Sequence, residues 1–196
     1  MELILVRHGE TAGNALRQYI GRTDLPLNER GREQIAELRG RLPLGRVTRV
    51  SHSPLLRTRQ TAELLHNATP SADPRLLELD FGDWEAKTYA ELEAAARDHL
   101  WRWYDDPWQV APPGGETLQD LDARLTAWHE DVLLSAGADE TLLVISHGGP
   151  IRWWYAKYVL QDPTLFHNLH LPPGGFAHLR RSTDGWTLVQ GEITAP

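Results

Sequence analysis

Two distant segments of this 196-residue chain share one plan: LILVRHGE (Leu3–Glu10) and LLVISHGG (Leu142–Gly149). Each is a short apolar run, then one polar residue, then His-Gly. Unbroken apolar runs of this kind read as strands buried on both faces, as in a parallel sheet. In open α/β sheets, ligands bind outside the carboxyl ends of the strands. Two such strands deliver His8 and His147 to one edge. The glycines that follow permit tight turns and close approach of a ligand to the backbone.

The intervening sequence alternates strands with amphipathic helices. Asn28 is placed to cap a helix to about Leu42, with Ile35, Leu38 and Leu42 on one face. Val47–His52 reads as another strand. Ser53-Pro54 reads as a cap and first helical position, opening a helix to about His66. Arg75–Asp80 is expected to be extended or a loop. Thr88 and Thr117 each have capping-box spacing, with Glu91 and Asp120, and predict helices to about Trp103 and Ser135. Gly149-Pro150 opens a further helix to about Leu160. Phe176–Arg181 and Trp186–Gly191, joined by STDG, predict a closing hairpin. The pattern predicts an α/β three-layer sandwich with a mainly parallel, mixed central sheet flanked by helices. The length suits a single domain over residues 1–196. Within it, residues of about 84–116 are expected to form a Trp-rich helical insert or lid covering the site.

Composition narrows the function classes. The net charge of −7 argues against nucleic acid or an anionic membrane as partner. With no cysteine, the chain has neither disulfides nor thiolate metal sites. The apolar run Leu3–Val6 is too short for a leader or a membrane span, and no other stretch qualifies. The expectation is a cytoplasmic protein, monomeric or homodimeric. Of the 20 basic residues only Lys87 and Lys157 are lysine, so any single arginine is weak evidence taken alone.

Two further segments converge on the same edge. SPLLRTRQTAELL (Ser53–Leu65) places Arg57 early in a helix, just beyond a strand. Arg7, Arg57, His8 and His147 then form a cluster of donors suited to phosphate oxygens, which guanidinium forks match bidentately. Glu78, in RLLELDFGDWE, sits between Leu77 and Leu79, an apolar setting of the kind a general acid near neutral pH requires. A helix beginning after Gly149 would add a positive dipole end. A two-His, one-carboxylate metal site is disfavoured, because Arg7 and Arg57 would repel a dication. The HNLH pair, His167 and His170, reads as surface.

The motifs RHGET (Arg7–Thr11), GRTDLPLNERGREQ (Gly21–Gln34), SPLLRTRQTA (Ser53–Ala62), LELDFGDWE (Leu77–Glu85) and SHGGPIR (Ser146–Arg152) resemble, in order, the histidine phosphatase superfamily. The resemblance covers essentially the whole chain. It implies that His8 is the nucleophile that becomes phosphohistidine. It also implies that Arg7, Arg57 and His147 hold the phosphoryl oxygens, and that Glu78 is the acid/base. Asn14, Gly21 and Gly148 would contact substrate. The implied partner is a small-molecule phosphomonoester, with no metal and no other cofactor.

The LELDFGDWEAKTY stretch is more similar to the phosphatase side of the superfamily than to the cofactor-dependent phosphoglycerate mutases. LDFGDWE, WRWYDDPW (Trp101–Trp108) and PPGGETLQDLDAR (Pro112–Arg124) resemble α-ribazole phosphatases. Ala86 departs from the family's usual glycine after DWE, and His52 stands where serine is common. Four of eight tryptophans, Trp84, Trp101, Trp103 and Trp108, crowd this region. Packing against the sheet is the favoured reading for each; stacking on a flat leaving group is the alternative. A mutase and a noncatalytic phosphate-binding protein are the rival functions.

Overall fold

A computed structural model describes residues 1–194. Six strands form one sheet: β1 (Glu2–Arg7), β2 (Arg49–His52), β3 (Ser71–Ala72), β4 (Thr141–Ser146), β5 (Phe176–Ser182) and β6 (Gly185–Gly191). Their order across the sheet is β3-β2-β4-β1-β5-β6. The first four of these pair in parallel, and the β5–β6 hairpin adds antiparallel pairing at one edge. Central β1 and β4 align Leu3 with Leu142 and Arg7 with Ser146. His8 and His147 therefore leave the sheet side by side, and the His8 N–H still reaches the Ser146 carbonyl at 3.1 Å.

Side-chain alternation along β1 and β4 feeds two separate cores. Leu3, Leu5, Leu142 and Val144 face α5 (Leu118–Ser135) and α6 (Gly148–Tyr158). Ile4, Val6, Leu143 and Ile145 face α2 (Glu29–Arg39) and α3 (Leu56–Leu65), meeting Ile35, Leu38, Ala62 and Leu65. Burial on both faces explains why the strands are apolar throughout. The remaining α-helices are α1 (Ala12–Ala15), which follows β1, and α4 (Tyr89–Asp105), which precedes α5.

The caps follow the side-chain chemistry. Asn28 accepts from the Gly31 N–H, and the Thr88–Glu91 and Thr117–Asp120 boxes are both closed. A third box, Thr11–Asn14, fixes α1 immediately after the first His-Gly. Several expected boundaries shift, α4 ending at Asp105 rather than Trp103 and α6 at Tyr158 rather than Leu160. α2 stops at Arg39, before Gly40, rather than at Leu42. The second strand begins at Arg49 rather than Val47. α3 starts at Leu56 and takes no side-chain cap. Ser53 cannot serve as that cap, because its N–H continues the sheet ladder to Ile145 and its hydroxyl meets His147. Of the four crowded tryptophans, Trp84 and Trp103 are buried in the first core, whereas Trp101 and Trp108 stay partly exposed.

Ala86 adopts φ 60, a left-handed conformation, in an exposed turn. There its N–H reaches the Tyr19 carbonyl at 2.9 Å. The Cβ clash costs an alanine about 1–2 kcal/mol. Glycine removes that clash but adds unfolded-state freedom worth about 0.4–1 kcal/mol. Ala86→Gly should therefore stabilise by about 0.5–1 kcal/mol, raising the calorimetric midpoint by about 1–4 °C. A lowered midpoint would contradict the assigned strain.

Candidate active site

Beyond the carboxyl ends of β1 and β4 lies a cavity of about 380 Å³. Arg7, His8, Asn14, Arg57, Glu78 and Gly149 all line it. Four segments expected to converge from sequence do converge.

Arg57, in the first turn of α3, is 1% exposed and ties the site together. Its Nε lies 3.2 Å from His8 Nε2 and 3.3 Å from His147 Nδ1. Its Nη1 and Nη2 donate to the carbonyls of Thr23 and Gly21, each at 2.8 Å. The guanidinium is always a donor, so both facing ring nitrogens carry lone pairs. His8 Nδ1 then holds the proton and donates to the Gly9 carbonyl at 2.7 Å. His147 Nε2 holds the other and donates to Ser53 Oγ at 2.8 Å. The two rings lie edge to face, 5.1 Å apart.

Both imidazoles are held neutral. Burial pushes each pKa well below 6.5, and the adjacent Arg57 charge pushes the same way. Arg7 is also lowered, to about 10, chiefly by burial. Its Nη1 donates to the Leu171 carbonyl at 2.6 Å, while its Nε is buried with no partner among the described residues. A buried donor of this kind is costly unless something accepts from it.

Glu78 differs from the setting its leucine neighbours predict. Its Oε1 accepts from the Leu79 N–H at 2.9 Å and its Oε2 from the Gly149 N–H at 3.1 Å. The carboxylate also faces the charges of Arg7, Arg57 and Arg152. It is thus surrounded by donors rather than by hydrocarbon. One amide at the start of α6, expected to face a ligand, is instead occupied by Glu78. The Gly-Gly pair is explained by close approach. A Cβ on Gly149 would lie 2.3 Å from Glu78 Oε1, and one on Gly148 would lie 3.2 Å from Arg7 Cζ.

Gly21 and Gly148 do not line the cavity. Gly21 holds Arg57 through its carbonyl, and Gly148 gives Arg7 room. Asn14 does line it. Its Oδ1 accepts from the Thr11 N–H and hydroxyl, which directs the oxygen to the backbone and leaves the amide nitrogen uncommitted. His167 is exposed, as the surface reading expects, yet it borders the cavity mouth; His170 does not. Among the described residues no group of three His, Asp or Glu side chains is arranged for a metal.

Several neighbours escaped the sequence reading. Ser53, read there as a helix cap, orients His147. Arg124 donates to the carbonyls of Arg75, Leu77 and Glu78, fixing the backbone that carries Glu78. Arg152, inside SHGGPIR, is braced on the Gly148 and Leu169 carbonyls and stacks over Phe166. Tyr19, Phe81 and Tyr104 also line the cavity, packed ring against ring with Trp103, which the sequence singles out; the Tyr19–Tyr104 hydroxyl contact is 2.6 Å.

A family model for the histidine phosphatase superfamily (branch 1) matches residues 3–194. The chain belongs to that superfamily. It is 30% identical over 193 residues to the adenosylcobalamin/α-ribazole phosphatase of Salmonella typhimurium, covering 96% of this chain and 90% of the relative. The crystal structure of the α-ribazole phosphatase from Shigella flexneri superposes with a TM-score of 0.87 at 27% identity. That match covers 96% of this chain and 94% of the other. A bifunctional protein of Mycobacterium tuberculosis is 34% identical over 196 residues. Those residues span 96% of this chain but 52% of that relative, so the chain corresponds to about half of it.

The protonation pattern is testable. Each histidine is depressed in the folded state, so below about 6.5 the unfolded chain binds more protons than the folded one. Stability should fall as pH drops from about 6.5 toward the depressed values. His129, buried beside Trp154 and lowered to about 4, adds to the same slope from outside the cavity. Nitrogen-15 spectra at pH 5.5 should show His8 still as its Nδ1–H tautomer and His147 as Nε2–H. Titration of either ring near 6.5 would refute the assignment.

Proposed function

We propose that the chain is a metal-independent phosphomonoester hydrolase acting through a phosphohistidine at His8. One observation carries this reading: a neutral imidazole pinned by the Gly9 carbonyl presents its Nε2 lone pair beside Arg57, in a cavity shared with the Glu78 carboxyl group. Neutral imidazole is the nucleophilic form, and covalent catalysis divides one difficult displacement into two easier ones.

In the first step His8 Nε2 attacks phosphorus, in line with the ester oxygen. The P–N bond forms as the P–O bond breaks, and protonated Glu78 gives its proton to the leaving oxygen. In the second step the Glu78 carboxylate takes a proton from water, whose oxygen attacks phosphorus. The P–N bond breaks, its electrons return to His8, and phosphate is released. Arg7, with its unpartnered Nε, and Arg57 stabilise the charge on the phosphoryl oxygens, assisted by the Asn14 amide. His147 has no free N–H in the resting arrangement. Its Nδ1 faces the Arg57 N–H, its Nε2–H is given to Ser53, and it does not line the cavity, so its part is to hold Arg57 in place.

Similarity to the Salmonella and Shigella proteins supports α-ribazole 5′-phosphate as the physiological substrate. The four aromatic rings that line the cavity support a flat, apolar alcohol portion.

The expected result is hydrolysis of para-nitrophenyl phosphate in excess EDTA, abolished by His8→Ala. Glu78→Gln should slow alkyl phosphates by about 10²–10⁴-fold, and the activated aryl ester much less, since nitrophenolate leaves without a proton. Full activity in His8→Ala would refute the mechanism. In a panel ranked by kcat/KM, α-ribazole 5′-phosphate should exceed sugar phosphates, nucleotides and phosphoglycerates. Isomer formation from 3-phosphoglycerate would instead mark a mutase.

A further inference from the structure

Arg57 rests on the backbone carbonyls of Gly21 and Thr23, and the N–H groups of that same loop all converge on one side chain. Glu85 follows the short helical turn Gly82–Trp84. Its Oε1 accepts from the N–H groups of Gly21 at 2.9 Å and Arg22 at 2.8 Å. Its Oε2 accepts from the Thr23 N–H at 3.2 Å and the Thr23 hydroxyl at 2.6 Å. A fifth donor, the Phe81 N–H, reaches Oε1 at 3.4 Å. Every group facing this carboxylate donates, so a charged double acceptor satisfies them all and an amide does not.

The loop is thus gripped from both sides. Glu85 holds its N–H groups, and its carbonyls hold the two Nη atoms of Arg57. The Glu85 charge also opposes the loss of charge that burial would impose on Arg57. Paired backbone bonds between Tyr19 and the Ala86–Lys87 turn lock the loop's approach to Glu85.

We propose that Glu85 is a positioning residue for the reaction. Its carboxylate shapes the Gly21–Thr23 backbone so that Arg57 can aim Nε at the two imidazoles and hold the phosphoryl group. Glu85 does not line the cavity and acts chiefly through the loop that carries Arg57, its longer bond to the Phe81 N–H being the one direct link to a cavity-lining residue. The proposal rests on the reading of His8 and Arg57 given above, so its test includes a readout independent of turnover.

The test is a double-mutant cycle of Glu85→Gln with Arg57→Lys, read as kcat/KM on para-nitrophenyl phosphate. It is paired with the side-chain Nε–Hε signal of Arg57 in nitrogen-15 spectra, assigned by its loss in Arg57→Lys. Lysine cannot span two carbonyls and two imidazoles together, so it removes the link being tested. Glu85→Gln should lower kcat/KM by about 10–100-fold in the native background, but by less than about threefold when residue 57 is already lysine. The Arg57 Hε signal should shift and lose exchange protection. Equal losses in both backgrounds, or an unaltered Hε signal, would reduce Glu85 to a stabilising loop clamp. If Glu85→Gln does not fold, Thr23→Val removes the hydroxyl link alone and should show the same non-additivity, more weakly. If the native protein turns over no phosphomonoester, the hydrolase reading fails and the Hε signal alone decides the role of Glu85.

Discussion

The buried guanidinium of Arg57 is the constraint on which the rest of the site depends. A cation at 1% exposure is tolerable only if its donors are satisfied. Here four acceptors engage all three of its nitrogens, drawn from the end of β1, the Gly21–Thr23 loop and the turn after β4. Each acceptor fixes something in return. The two imidazoles take defined tautomers, and the loop takes the conformation that Glu85 stabilises. Removing one partner would leave a buried donor of a cation without its acceptor, so the cluster is expected to behave as a unit rather than a sum of pairs.

The charged cluster is supported by an apolar frame that leaves little slack. β1 and β4 are packed on both faces, so a slip of one residue would exchange the two cores. That rigidity is why His8 and His147 emerge in matched register. The same economy of space appears beyond the strands, where Gly148 and Gly149 let Arg7 and Glu78 approach the first turn of α6. The same cavity is lined by the rings of Tyr19, Phe81, Trp103 and Tyr104.

Much of this was legible in the sequence, for identifiable reasons. Apolar runs and capping boxes are local signals: the strand expected at Glu2–Val6 runs one residue further, to Arg7, and the strand at Thr141–Ser146 and the boxes at Thr88 and Thr117 formed where expected. Ser53-Pro54 misled because a cap and a tertiary hydrogen bond use the same serine oxygen, and the tertiary partner, His147, lies 94 residues away. Gly21 was read as a ligand contact, whereas its backbone serves Arg57. Glu78 was read as enclosed by leucines, but its partners come from the backbone and from distant arginines. Glu85, Arg124 and Arg152 lie within the quoted motifs but drew no role of their own, because their partners are backbone groups of distant segments.

By itself, the sequence determined the two apolar strands, the layer architecture they demand, and the arrival of two His-Gly pairs at one sheet edge. These follow from short-range periodicity and from burial on both faces. Only the tertiary structure decided which nitrogen of each imidazole carries the proton, which backbone groups hold Arg57 and Glu78, and which glycines touch side chains rather than ligand. Those outcomes depend on hydrogen bonds between segments tens of residues apart, whose geometry is set only when the two cores close around the sheet.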